Sequence, residues 1–170
     1  MSGESARALE FAADHDIIHR NITPNNILVR SSDGCVKLGD LILAKALRGT
    51  KVEQITAAGD TVGELAYASP EQDAGGQHVD CRSDIYSLGV ALYAMLTGQP
   101  PHQGATVAET IAKIRTETPV RPTDNQMAIP ALFEDLMFRM LRKNPNDRFQ
   151  TPTALLNQLE RLRKYLAVDS

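Results

Sequence analysis

From Ser83 to Leu96 the chain is apolar almost all the way round a helical wheel, with Asp84 near the start of the run and Gly98 just past its end. A surface helix carries one apolar stripe, whereas a helix apolar on every side has to be buried on every side. The segment therefore predicts a buried central helix over residues 83–96, around which the remainder must pack. Amphipathic stretches are available to do so. A short helix is predicted over 6–13 and, after the Pro100-Pro101 break, three more over 106–116, 130–142 and 151–166. The last has Pro152 in its first turn and Leu155, Leu159, Leu162 and Leu166 on one face, all four predicted as core. Two short β-prone runs, 27–30 and 35–38, are joined by Ser31-Ser32-Asp33-Gly34, which predicts a hairpin. Between Leu43 and Ala66 the periodicity fades into Gly, Thr and charged residues, which predicts one long, exposed and mobile loop. The expected class is mainly α with a small β-hairpin, and 170 residues suffice for one core and one domain, 1–170.

Charge and cysteine usage exclude several functions. A net charge of -3 with scattered Lys and Arg gives no field that gathers phosphate backbones, so nucleic acid is not an expected partner. Cys35 and Cys81 stand far apart and outside any C-x-x-C pattern, which indicates reduced thiols rather than a disulfide framework or a zinc site. His15, His78 and His102 show no ligand spacing and are predicted to be surface residues. The longest near-apolar stretch, Tyr86 to Leu96, is too short to span a bilayer, and residues 1–20 do not read as a signal peptide. A cytoplasmic location with no membrane partner is the expectation.

Five motifs occur in order along the chain. Ile18-His19-Arg20-Asn21-Ile22-Thr23-Pro24-Asn25-Asn26 resembles the protein-kinase catalytic loop, whose pattern is His-Arg-Asp, four residues, then Asn. Asp40-Leu41-Ile42 stands where that family has Asp-Phe-Gly, and Ala68-Ser69-Pro70-Glu71 resembles the Ala-Pro-Glu end of its activation segment. Arg82-Ser83-Asp84 is similar to the start of the family's central helix, and Asn144-Pro145-Asn146-Asp147-Arg148 to the turn carrying its late arginine. The wording Ser-Pro-Glu-Gln at 69–72 is similar to bacterial serine/threonine kinases. The resemblance implies the C-terminal lobe of the protein kinase-like fold, with catalytic loop 19–26 and activation segment 40–71. The N-terminal lobe is expected to be absent, because the eighteen residues before His19 include one Gly and no Lys to cover the phosphates of ATP.

The resemblance also implies roles. Asp40 and Asn26 are the expected oxygen ligands of Mg²⁺, and Leu28 stands where the family has the residue under the adenine ring. Any binding of Mg and ATP by this chain alone is expected to be weak or absent. His19, Arg20, Glu71, Asp84 and Arg148 match a structural set: Asp84 holding the catalytic-loop backbone, Glu71 pairing with Arg148, and Arg20 reaching the activation segment. Thr50, Thr56 and Thr61 are candidate phosphosites in the long loop. Three positions depart from the pattern: Asn21 replaces the catalytic Asp, Thr23 the Lys, and Glu64 the Thr of the substrate-docking loop. Ile42 in place of Gly disfavours the positive-φ geometries that Gly permits. A pseudokinase or scaffold acting through a protein partner, a separate N-terminal lobe or another kinase, is therefore expected. The alternative is a fragment or split half of a serine/threonine kinase that transfers the ATP γ-phosphate.

Overall fold

The elements follow one another as α1 (Ser2–Asp14), β1 (Ile27–Val29), β2 (Val36–Leu38), α2 (Val62–Leu65), α3 (Pro70–Asp73), α4 (Cys81–Thr97), α5 (Val107–Thr116), α6 (Ala131–Met140) and α7 (Pro152–Val168). Single turns of 3-10 helix lie at Pro24–Asn26, Pro122–Asn125 and Pro145–Asp147. The structure is a computed structural model, and it describes residues 2–40, 62–73, 79–125 and 128–168. Every residue of α4 from Ser83 to Ala94 is buried. The helix starts where the Asp80 carboxylate accepts the Arg82 N–H, and it stops at Gly98, whose φ of 85° returns its N–H to the Ala94 carbonyl.

Four elements cover α4: α1, α6, α7 and the turn at 24–26. The approach of α6 is close, since a Cβ on Gly89 would stand 2.9 Å from Met140 Cβ. Helices α1 and α7 pack on each other, and Leu9, Ile85, Leu88, Met137 and Leu155 meet in one apolar cluster. Burial of each such side chain contributes about 1.5–3 kcal/mol. The hairpin pairs Ile27 with Leu38, Leu28 with Lys37 and Val29 with Val36, antiparallel. Its inward residues Ile27 and Val36 join the same core.

Among the described residues the fold is thus mainly helical with one two-stranded sheet, and element ends are where the sequence reading differs from it. Helix α1 begins at Ser2 rather than residue 6, with Glu4 in its first turn suited to the helix dipole. Part of the stretch predicted as loop, Val62–Leu65, is a helical turn. Leu41, Ile42, Thr50, Thr56, Thr61 and His78 lie outside the described residues. Leu166 is not core as predicted but exposed, in the last turn of α7, where the residues from Arg163 to Ala167 are all exposed. Among the described residues no helix is long and apolar enough to cross a membrane.

His102 corrects the surface assignment. It is 1% exposed, and Lys143 Nζ lies 2.7 Å from its Nε2, so the ring is neutral and Nε2 accepts. Burial, then the nearby charges of Lys143 and Lys113, pull its pKa down to about 4. The unfolded chain takes up a proton near pH 6.5 that the folded ring refuses, so this contribution is present above 6.5 and lost as pH falls towards 4. The loss is expected to be on the order of 1–2 kcal/mol once solvent screening is allowed for. Urea unfolding at pH 7 and pH 5, read as the difference between the wild type and His102→Phe, checks it. Equal slopes with pH in the two proteins would refute it.

Candidate active site

The frame of the site hangs from α4. Asp84, in its first turn, is buried, and its two carboxylate oxygens accept the backbone N–H groups of His19 at 2.7 Å and Arg20 at 2.8 Å. Burial pushes the Asp84 carboxyl up to about 7, against the pull of these two N–H groups. From there the hydrogen bonds continue through the loop. His19 Nε2 donates to the Gly39 carbonyl at 2.8 Å, and the Gly39 N–H donates to the Asn26 carbonyl at 2.7 Å. Asn26 Nδ2 in turn donates to the Asn21 carbonyl at 2.9 Å. Burial holds the His19 ring below its ordinary pKa, consistent with a neutral ring carrying its proton on Nε2.

Two non-glycine residues of this frame adopt the left-handed region, Arg20 at φ 65° and Asp40 at φ 58°. Such conformations cost about 1–3 kcal/mol and persist where surrounding contacts over-determine them. For Arg20 those contacts are the N–H to Asp84 and the carbonyl, which accepts Gln72 Nε2 at 2.9 Å.

A second cluster holds the segment after α2. Arg148, with a side chain 0% exposed, uses all five of its N–H donors. Nη1 and Nη2 fork onto the two Glu71 oxygens at 2.7 and 2.9 Å. The others reach the carbonyls of Arg142, Arg82 and Lys143 at 2.7, 2.9 and 2.9 Å. Ser83 Oγ donates to Glu71 at 2.6 Å, and the guanidinium lies over the Tyr86 ring at 4.8 Å. Burial pushes the Glu71 carboxyl up, but the bonds from Arg148 and Ser83 outweigh it and hold it below the usual range.

The comparisons with known proteins follow the same frame. A protein kinase domain pattern matches residues 2–159. The serine/threonine-protein kinase PknB of Mycolicibacterium smegmatis is 38% identical over 168 residues, 98% of this chain. The chain belongs to the protein kinase family. A probable serine/threonine-protein kinase of Clostridium acetobutylicum is 37% identical over 96% of the chain, and PknB of Mycobacterium tuberculosis 36% over 94%. This kinase-like chain is therefore of the bacterial serine/threonine type. It spans about a quarter of the length of these relatives, 26%, 24% and 25% respectively.

In kinase terms, the structure brings His19, Arg20, Asn21, Asn26 and Asp84 into one hydrogen-bonded neighbourhood, with Asp40 next in the chain to the bonded Gly39, and Glu71 and Arg148 into direct contact. Thr23 is buried, Glu64 is exposed in α2, and Leu28 on β1 is 55% exposed. The donor set suits Mg²⁺: the Asp40 carboxylate is exposed, and Asn26, with Nδ2 committed to Asn21, keeps its amide oxygen for a hard cation. Among the described residues no three His, Cys, Asp or Glu side chains gather as a metal cluster. The sequence reading missed Gln72 and Ser83. Gln72 also accepts Ser69 N–H and Oγ–H at 3.0 Å, tying the Ser-Pro-Glu-Gln turn to the catalytic loop.

Proposed function

We propose that this chain is a kinase-like binding module that does not transfer phosphate as it stands. The observation that carries the reading is Asn21, which occupies the position of the catalytic Asp on an otherwise assembled loop. An amide neither accepts a proton at neutral pH nor carries the negative charge that orients a substrate hydroxyl, and loss of a general base costs about 10²- to 10⁴-fold. Thr23, at the Lys position, offers no cation to steady the phosphates, and Glu64 replaces the Thr of the docking loop. Together these three changes remove the group that receives the proton and the groups beside it. Asp40 and Asn26 are the residues that would hold Mg²⁺, and Leu28 the residue against which an adenine would lie. The metal, when bound, neutralises charge on the phosphate oxygens.

A protein partner fits this reading, because Leu28 is a large apolar side chain left exposed beside the loop. The partner would be a separate N-terminal lobe or another kinase. Phosphates on Thr50, Thr56 or Thr61 would meet Arg20, and mass spectrometry of natively expressed protein tests whether they are there. A second reading, a split half or piece of an active serine/threonine kinase, is favoured by the quarter-length coverage of the relatives.

Incubated with Mg-ATP and a basic protein substrate, the chain is expected to incorporate no more phosphate than its Asp40→Ala variant. Incorporation that Asp40→Ala abolishes would overturn the proposal. Thermal unfolding separates the two readings further, since a ligand that binds only the native state raises its apparent stability. A Mg-dependent rise in Tm that Asp40→Ala removes would favour the split-kinase reading.

A further inference from the structure

Away from the catalytic loop, a groove of about 450 Å³ runs between α6 and α7. Helix α6 contributes Leu132, Leu136 and Arg139 to it, and α7 contributes Arg161, Leu162 and Tyr165. The spacings are i, i+4, i+7 on one helix and i, i+1, i+4 on the other, so each helix turns one face towards the groove. Phe149 adds a third apolar surface, with the Arg139 guanidinium over its ring at 4.3 Å. Leu132 is 53% exposed and Tyr165 56%, so the groove keeps large apolar side chains in water at both helices.

Charge decides what such a surface accepts. Asp135, also on the groove, shares Arg121 Nη1 with Glu134, at 2.9 and 2.7 Å, so one guanidinium serves two carboxylates there. Among the described residues neither Arg139 nor Arg161 has a carboxylate partner. Two guanidiniums, against one carboxylate that already shares Arg121, therefore give a net positive rim to an apolar trough about 15 Å long, the length of the ten-residue α6. We infer that this groove docks a short acidic amphipathic helix of a partner protein, two to three turns long, with leucine or phenylalanine anchors in the trough and carboxylates on Arg139 and Arg161. The arrangement is the helix-in-groove mode of recognition. A second copy of this chain meeting it groove to groove fits poorly, because Arg139 and Arg161 would then face the same two guanidiniums. The inference is independent of phosphoryl transfer and of nucleotide.

The test is fluorescence anisotropy of the 170-residue chain with a labelled peptide of about twelve residues. The peptide has leucines at i, i+4 and i+7 with glutamates between, and a second version has lysines in place of the glutamates. The acidic peptide is expected to saturate one-to-one, to weaken with added salt, and to lose about tenfold in affinity with Arg139→Gln/Arg161→Glu. Tyr165→Ser is expected to weaken it comparably, with the far-ultraviolet spectrum and Tm of both variants matching the wild type. Absence of saturable binding, equal binding of the lysine peptide, or indifference to both variants would each overturn the inference. So would sedimentation showing a dimer that Leu132→Ser dissociates, since the groove would then belong to a second copy.

Discussion

Arg148→Ala is expected to cost about 3–5 kcal/mol in unfolding free energy, close to the whole stability of a marginal domain. The side chain is fully buried and its five donors serve Glu71 twice and three backbone carbonyls. Truncation leaves the Glu71 carboxylate without its ion-pair partner, and removing one member of a buried pair costs far more than the pair contributes net. Lysine is a poor replacement, since an ammonium has three donors and no fork. Arg148→Lys is thus expected to lose most of what alanine loses. Adding Glu71→Gln to Arg148→Ala should cost less than the sum of the two single changes, because the unpaired charge is then gone. Denaturant unfolding of the four proteins measures the coupling, and additivity within about 0.5 kcal/mol would mean that the pair is not coupled. A pH signature accompanies it. Glu71 is held below its ordinary pKa, so its contribution is present above the unfolded value near 4.5 and lost as pH falls through the folded one.

Asp84→Ala is the second large effect, expected at about 2–5 kcal/mol, because the buried N–H of His19 and the half-buried N–H of Arg20 lose their carboxylate acceptor at once. Asp84→Asn keeps one acceptor oxygen and should recover part of the loss. Hydrogen exchange at residues 19 and 20 reports the loop directly, and protection unchanged in Asp84→Ala would refute the argument. The direction with pH is opposite to that of Glu71. Asp84 has a raised folded pKa, so its contribution is full below the unfolded value near 3.8 and declines as pH rises through about 7. The cost of Asp84→Ala is therefore expected to be greatest in acid and to shrink towards neutrality.

Long-range order was legible in the chain wherever one residue type had a single physical solution. A helix apolar all round can only be a hub, and α4 is buried over Ser83–Ala94. The five motifs were legible as an ordered series, and their order survives in the fold. What escaped was set by partners distant in sequence. Nothing around Pro100-Pro101 signals that His102 is buried against Lys143, 41 residues later. The acceptors of Arg148 are mostly backbone carbonyls, which every residue has and no sequence pattern marks. Gln72 was read only as part of a family wording, yet its amide bridges 52 residues to the Arg20 carbonyl. The ends of α4 to α7 moved by one or two residues, the range over which caps and fraying act, whereas α1 starts four residues earlier than its apolar pattern.

In the chain of bonds from Asp84 to Asn26, residue 21 takes part through its backbone carbonyl alone. A backbone carbonyl is the same whichever side chain is present. Selection could therefore discard the chemistry at this position without touching the architecture, and a lineage relieved of catalysis would keep a foldable loop. On the proposed reading, substitution at 21 removes the general base while leaving the bonds of the scaffold in place, which makes it a position where a kinase fold can be turned to another use.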